Sequence, residues 1–129
     1  MFPRRFYLIG LVAVAACATT GTSASGGSAS HDYNRITAAE IATTTAQNAY
    51  EMISKMRPEY LKTRGKTTIL LDTPDRASVF MDGVLFGEPE ALKTIAASTI
   101  REVRFYPGNE AGIKFGSQYG AGVIDIKTR

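Results

Sequence analysis

The sequence ASVFMDGVLF, at residues 77–86, carries the clearest structural signal in the chain. Two short apolar runs flank the dipeptide Asp82-Gly83. A two-residue turn of type I′ needs positive φ at both central residues, and Asp-Gly between apolar runs is a strong marker of it. The segment therefore predicts two short antiparallel strands joined by a tight turn.

Two further segments predict strands on the C-terminal side of this hairpin. Residues 100–106 (IREVRFY) end at Pro107-Gly108, and we expect Arg101, Val103 and Phe105 to share one face of the strand. Residues 122–128 (GVIDIKT) alternate as a half-buried strand does. Between them, the glycines of residues 108–122 predict a loop with tight turns.

Helices are predicted on both sides of the hairpin. Thr37 and Glu40 have the spacing of a capping box, and apolar residues then recur at helical spacing as far as Met56, just before Arg57-Pro58. Residues 88–95 predict a short helix, whereas residues 66–72 predict a strand or extended connection. The expected fold is α+β, a small mixed sheet of four strands with one longer helix and one short helix.

The N-terminal sequence MFPRRFYLIGLVAVAAC has the basic start, short apolar run and small residues of an export signal. Val14-Ala15-Ala16-Cys17 resembles the bacterial lipobox, which implies that residues 1–16 are removed and that Cys17 carries acyl chains such as palmitate. Ala18 in place of aspartate resembles the lipoproteins sorted to the outer membrane. The alternatives are an ordinary signal cut near Ala16 and a transmembrane helix, for which the apolar run is too short.

After the signal, residues 17–33 form a Ser/Gly/Ala-rich segment that we interpret as a linker, and residues 34–129 form the single domain. The chain has 15 Lys and Arg against 12 Asp and Glu, and Arg4 and Arg5 belong to the signal. The mature domain is therefore nearly neutral, and we expect no nucleic-acid partner.

Composition also argues against catalytic and metal-binding classes. The one cysteine allows no internal disulfide, and His31 lies in the linker rather than beside a nucleophile. No Cys/His cluster has metal-ligand spacing, and no glycine motif has the context of a phosphate loop. We therefore expect neither an enzyme nor a bound cofactor.

Four segments together resemble the plug domain of TonB-dependent outer-membrane receptors. They are VFMDGV at residues 79–84, Leu92 with Ile95, IREVRFYPG at residues 100–108 and YGAGVIDIKT at residues 119–128. Their order and spacing agree with that family, and the helix beginning at Thr37 is similar to the plug's first helix. The resemblance implies a plug-like fold over residues 34–129 and a function related to envelope transport.

The chain departs from the family at both ends. Residues 18–33 contain no aliphatic segment of the kind that pairs with the energy-transducing protein, and too few residues follow the last predicted strand to build a membrane barrel. Transport driven by an ion gradient is therefore not expected of this polypeptide by itself. The leading interpretation is a non-enzymatic, lipid-anchored module of the cell outer membrane that contacts a receptor barrel or a transport component.

Free sheet edges are the expected contact sites for such a partner, because backbone groups there can pair with another strand. The candidate residues are Val84, Leu85 and Phe86 in the hairpin, and Val123, Asp125 and Lys127 in the last strand. The second interpretation is a free-standing periplasmic domain that binds a glycan or metal chelate through Tyr106, Phe115 and Tyr119. Against it stands the simpler expectation that these aromatic side chains cover the end of the sheet.

Overall fold

The computed structural model describes residues 32–65 and 74–129. Its five strands are β1 (Arg35–Ile36), β2 (Ser78–Met81), β3 (Val84–Gly87), β4 (Ile100–Tyr106) and β5 (Val123–Thr128). Its three α-helices are α1 (Ala38–Ala42), α2 (Ala49–Met56) and α3 (Gly108–Lys114). Short 3-10 segments lie at Pro58–Leu61, Pro89–Thr94, Ala97–Thr99 and Ser117–Tyr119. The α+β fold class predicted from the sequence is confirmed, with β1 as an additional strand.

The strands form one mixed sheet in the order β1-β4-β5-β2-β3. β5 pairs in parallel with β2 and antiparallel with β4, and the other pairs are antiparallel. The predicted hairpin is confirmed, since β2 and β3 join through Asp82 at φ 50° and Gly83 at φ 85°. The Asp82 carboxylate does not cap its own turn. It accepts hydrogen bonds from the backbone N–H and the hydroxyl of Thr128, at 3.0 and 2.7 Å, and so ties the turn to the end of β5.

One face of the sheet packs against the helices and forms the main core. We call it the helical face, and its strand residues are Ile36, Val79, Val103, Phe105, Ile124 and Ile126. Met52 and Ile53 of α2 and Leu92 of the 3-10 segment pack against them. Each fully buried aliphatic side chain of this kind stabilises a fold by about 1.5–3 kcal/mol. The alternation of β5 thus directs Ile124 and Ile126 into the core and Asp125 to the opposite face.

The prediction of one continuous helix from Thr37 to Met56 is wrong, because the helix is interrupted between Ala42 and Ala49. The capping box is present, and the helix that it starts ends at Ala42. Thr43, Thr44 and Thr45 follow directly, and three β-branched residues in a row are poor helix formers. Asn48 then caps α2 by accepting from the Glu51 N–H at 2.9 Å, so that a second helix begins.

β4 also departs from simple alternation. Its pairing with β5 shifts between Ile100 and Glu102, which leaves Arg101 as an extra residue. Such a bulge reverses the phase of the strand, so Ile100 is fully buried and Arg101 is exposed. The expectation that Arg101 shares a face with Val103 and Phe105 is therefore wrong.

The segment predicted as a glycine-rich loop contains α3 and a 3-10 segment. Ala111 of α3 is fully buried against the face of the sheet opposite the helical face. Gly108 begins α3 in close contact with Gly120, since a Cβ at residue 108 would lie 1.9 Å from the Gly120 carbonyl oxygen. The glycine at residue 108 therefore serves a close approach of two backbone segments. The predicted strand at residues 66–72 lies outside the described residues.

We predict that Gly108→Ala lowers the free energy of unfolding by about 1–3 kcal/mol, because the added methyl group overlaps the backbone at Gly120. Gly112→Ala is the matched control, since it lies in the same helix and its Cβ would have no neighbour within 4 Å. Alanine is the better helix former, so this variant should gain up to about 1 kcal/mol. Urea denaturation measures both, and equal stability of the two variants would contradict the assignment.

Candidate functional site: an exposed edge strand and an open sheet face

β3 forms one edge of the sheet and carries the largest group of exposed apolar side chains in the described residues. Val84, Leu85 and Phe86 are 71%, 53% and 39% exposed. Soluble proteins usually protect edge strands with charges, prolines or a covering element, because unpaired backbone groups there can pair with another chain. Val84, Leu85 and Phe86, which the sequence predicts as partner contacts, therefore lie where a partner strand could bind.

The hairpin geometry orients the backbone of β3. Met81 and Val84 flank the two-residue turn, and Phe80 and Leu85 form the next pair. In an antiparallel ladder the hydrogen-bonded and non-hydrogen-bonded pairs alternate, and the pair next to such a turn is hydrogen-bonded. The N–H and C=O of Leu85 consequently point away from β2, toward the outside of the sheet. A shift in register at Phe86 then ends the regular part of this edge.

The prediction that Val123, Asp125 and Lys127 lie at a free sheet edge is wrong. β5 lies in the middle of the sheet, with β4 on one side and β2 on the other. Val123 and Asp125 are buried, whereas the Lys127 side chain is exposed. The sequence shows alternation within a strand but not which strands become its neighbours, so position in the chain was a poor guide to position in the sheet.

The predicted ligand-contact residues Tyr106, Phe115 and Tyr119 do come together, but as a packed cluster. Phe80, which the sequence did not single out, lies at its centre, with ring centroids 4.6 Å from Phe115 and 5.3 Å from Tyr119. Tyr106 meets Phe115 edge to face at 5.3 Å. This second cluster covers one end of the sheet face opposite the helical face, which agrees with the simpler expectation for these residues.

The remaining part of that face, which we call the open face, bears mostly charged side chains. Cross-strand register places Arg35, Arg104 and Asp125 in one row, and Glu102 and Lys127 in the next. Arg35 forms an ion pair with Glu102 at 2.9 Å. The Arg104 guanidinium lies 5.2 Å from the centroid of the Tyr106 ring, at the border of the second cluster.

Asp125 is the one acidic residue of the open face that is buried, with 6% of its surface exposed. Among the described residues its Oδ1 has no hydrogen-bond partner. Burial raises the pKa of this carboxyl, and the nearby ammonium groups of Lys127 and Lys114 offset the effect only in part. The buried carboxylate therefore costs stability when it is ionised.

The remaining predicted features stand as follows. Cys17 and the linker up to His31 lie outside the described residues. In residues 32–65 and 74–129, no helix is long and apolar enough to cross a bilayer. Within the same ranges, no group of three or more His, Cys, Asp and Glu side chains could hold a metal ion.

The chain matches no protein-family model, and no curated protein and no solved structure matches it either. The resemblance to the plug of TonB-dependent receptors thus stays a hypothesis that rests on the four sequence segments.

We predict that Asp125→Asn raises the melting temperature at neutral pH, with a gain in stability of about 1 kcal/mol from removing an unpaired buried charge. The pKa of Asp125 is higher in the folded than in the unfolded chain, so the folded state binds this proton more tightly. In the wild type, the protonated Asp125 carboxyl makes its full contribution to stability below the ordinary pKa of aspartate. This contribution is lost as the pH rises through the raised pKa of Asp125. The advantage of the variant should therefore vanish near pH 4, roughly the ordinary pKa of aspartate.

Asp82→Asn is the matched control with the opposite sign. The hydrogen bonds from the Thr128 hydroxyl and N–H hold the pKa of Asp82 below its ordinary value. The ionised Asp82 carboxylate stabilises the fold above the ordinary pKa of aspartate. This stabilisation is lost as the pH falls through the lowered pKa of Asp82. Melting curves should show that Asp82→Asn is less stable than the wild type at neutral pH. This difference should become smaller as the pH falls. Equal behaviour of the two variants across this range would refute the assignment of Asp125.

Proposed function

We propose that this protein is a non-enzymatic, lipid-anchored module of the outer membrane that binds a strand of another envelope protein along β3. The single observation that carries the proposal is the exposure of Val84, Leu85 and Phe86 together at the edge of the sheet. An edge of this kind adds a strand through backbone hydrogen bonds, while side-chain pockets select the partner.

The side chains of β3 define the chemistry of the partner. Val84 pairs with Met81 and therefore projects on the helical side of the sheet, whereas Leu85 pairs with Phe80 and projects on the other side. An added strand would meet apolar groups on both faces. The matching partner is an extended segment with apolar residues at successive positions, and it would pair with the outward N–H and C=O of Leu85.

The sheet supports the plug-like part of the proposal. The segments that resemble the plug of TonB-dependent receptors form β2 and its turn to Val84, β4 and β5, with Leu92 and Ile95 buried beside them. Segments whose order alone suggested the resemblance therefore make up one packed unit. A plug in that family lies inside a receptor, so a receptor barrel or a transport component is the class of partner that we propose.

The membrane attachment rests on the sequence of residues 1–17. A diacylated cysteine holds a protein at a membrane firmly, since two chains together bind far more strongly than one. We propose that Cys17 carries this anchor and that residues 18–33 link it to the domain.

We predict that a photo-reactive amino acid at Leu85 cross-links to one envelope protein in intact cells. The same group at Ser54 should not, because Ser54 is exposed on α2, which is not part of the sheet. Leu85→Lys should reduce the adduct formed from a photo-reactive group at Val84 by about tenfold, because it places a charge in an apolar contact. Equal cross-linking from Leu85 and Ser54, or none from either, would contradict strand addition at β3.

We also predict that mass spectrometry of the mature protein finds residues 1–16 removed and an acylated cysteine at the N-terminus. Cys17→Ser should move the protein from the membrane fraction to the soluble fraction, or leave it uncleaved. The melting temperature should not change, because Cys17 lies outside the packed domain of residues 34–129 expected from the sequence. An unmodified Cys17 in cleaved protein would remove the anchor from the proposal and leave strand addition at β3 standing.

A further inference from the structure

We infer that residues 108–120 form a flap that opens away from the sheet as a unit, and that the ionised carboxyl of Asp125 beneath it favours the open position. The inference does not depend on the proposed function, because it concerns the sheet face that carries the second cluster and not the β3 edge. The flap is closed in this structure, so the open position is a minor state.

The two ends of the flap lie against each other. A Cβ at residue 108 would lie 1.9 Å from the Gly120 carbonyl oxygen, so Gly108 and Gly120 form a neck of two touching backbone segments. A surface loop with its ends together is an Ω-loop, and loops of this kind are frequently functional. Gly122, at φ 109°, joins the flap to β5. A few residues at the neck can therefore absorb the change in backbone angles that opening requires.

The backbone of the flap bonds to itself rather than to the sheet. The N–H of Ala111 donates to the Pro107 carbonyl at 2.8 Å, and the N–H of Phe115 donates to the Ala111 carbonyl at 2.8 Å. Within the described residues, no backbone hydrogen bond joins residues 109–121 to a strand. The flap can therefore leave the sheet without breaking a backbone hydrogen bond.

Side-chain contacts hold the flap in the closed position. Ala111 is fully buried in the second cluster, and the ring centroid of Phe115 lies 4.6 Å from that of Phe80. The Lys114 ammonium donates to the Tyr106 hydroxyl and lies 4.2 Å from the centroid of the Tyr106 ring. Opening exposes this apolar surface to water, which is why the closed position is the more populated one.

The flap covers the part of the sheet that holds Asp125. α3 and the 3-10 segment at Ser117–Tyr119 pack on this face, whereas the other described helical segments belong to the main core. Asp125 has Phe80 beside it on β2 and Arg104 beside it on β4. It is 6% exposed, and its Oδ1 has no hydrogen-bond partner among the described residues. Opening the flap returns this carboxylate to water.

The electrostatics of the site favour the open position when Asp125 is ionised. The charged groups that face its carboxyl are Arg104 and Glu102 of β4, Lys127 of β5, Lys114 of the flap and Asp82 of the turn. Burial is the largest cause of the raised pKa of Asp125, and the two lysines lower this pKa while the two carboxylates raise it. Opening also takes Lys114 away, but the gain in hydration is the larger effect.

The population of the open position should therefore rise with pH. Below roughly pH 4, the ordinary pKa of aspartate, the carboxyl is protonated in both positions and has no effect. Between the ordinary pKa and the raised pKa of Asp125, the open population should increase by about tenfold for each pH unit, because the closed position holds the proton more tightly. Above the raised pKa the open population should stay constant.

The test measures how often a buried thiol under the flap becomes accessible. The full chain carries Cys17→Ser, so that its only thiol is the one introduced as Val123→Cys or, as the control, as Val103→Cys. Both valines are fully buried, Val123 in the second cluster and Val103 in the main core. The rate of labelling with a dipyridyl disulfide, divided by the rate for the unfolded protein at the same pH, gives the open population. Melting curves establish that each variant is folded.

The expected result is that Val123→Cys is labelled about tenfold faster than Val103→Cys or more, at a rate that low concentrations of urea leave unchanged. The open population at residue 123 should rise with pH as stated above. Adding Asp125→Asn should keep it, at neutral pH, at the low value found near pH 4. Asp75→Asn removes an exposed carboxyl and should have no effect.

A second pair of variants tests the contact that holds the flap closed. Lys114→Gln should raise the open population at residue 123 by about fivefold, because it removes the hydrogen bond and the ring contact to Tyr106. Lys93→Gln is the matched control, since its ammonium lies 4.9 Å from the centroid of the Tyr50 ring, which packs against the main core. This control should leave the open population unchanged.

Two results would overturn the inference. Equal labelling of the two thiols, with both rates rising in urea, would mean that residue 123 becomes accessible only through global unfolding. Faster labelling at residue 123 that responds neither to pH nor to Asp125→Asn would exclude the carboxyl as the cause of opening. Strand addition at β3 is tested separately by the cross-link from Leu85, so either result leaves the proposed function standing.

Discussion

The two-sided pairing of β5 is the interaction on which the rest of the structure depends. β4 with β1 and β2 with β3 form two separate pairs, and β5 alone connects them into one sheet. Its alternation buries Ile124 and Ile126 in the main core and places Val123 in the aromatic cluster on the other face. The Asp82 carboxylate binds the end of the same strand through Thr128, which sets the hairpin in register with it.

The cost of this arrangement falls on Asp125. A central strand is buried on both sides of the sheet, and a carboxyl at its middle loses water without gaining a hydrogen-bond donor for Oδ1. The same row of the sheet carries Arg35 and Arg104 at its outer part, where water solvates them. One sheet face therefore combines an aromatic cluster, a buried acid and exposed cations.

Local features of the structure could be predicted from the sequence, and long-range ones could not. The turn at Asp82-Gly83 and the capping box at Thr37 depend on neighbouring residues, and both are present. The bulge at Arg101 and the central place of β5 depend on pairing between distant segments, which periodicity within one segment does not report. Position at a sheet edge also depends on distant segments. Of the two edges that were predicted, the one at Val84 is present, whereas Val123 lies in the central strand β5.

The central place of β5 also affects how the molecule acquires its structure in time. Until residues 123–128 have been synthesised, β2 and β4 have no common neighbour, and the earlier segments can form only two separate strand pairs and short helices. Contacts between distant segments form late because a long loop must close first. A chain that lacked residues 123–128 would therefore leave the two strand pairs apart, with the core surface of each exposed to water.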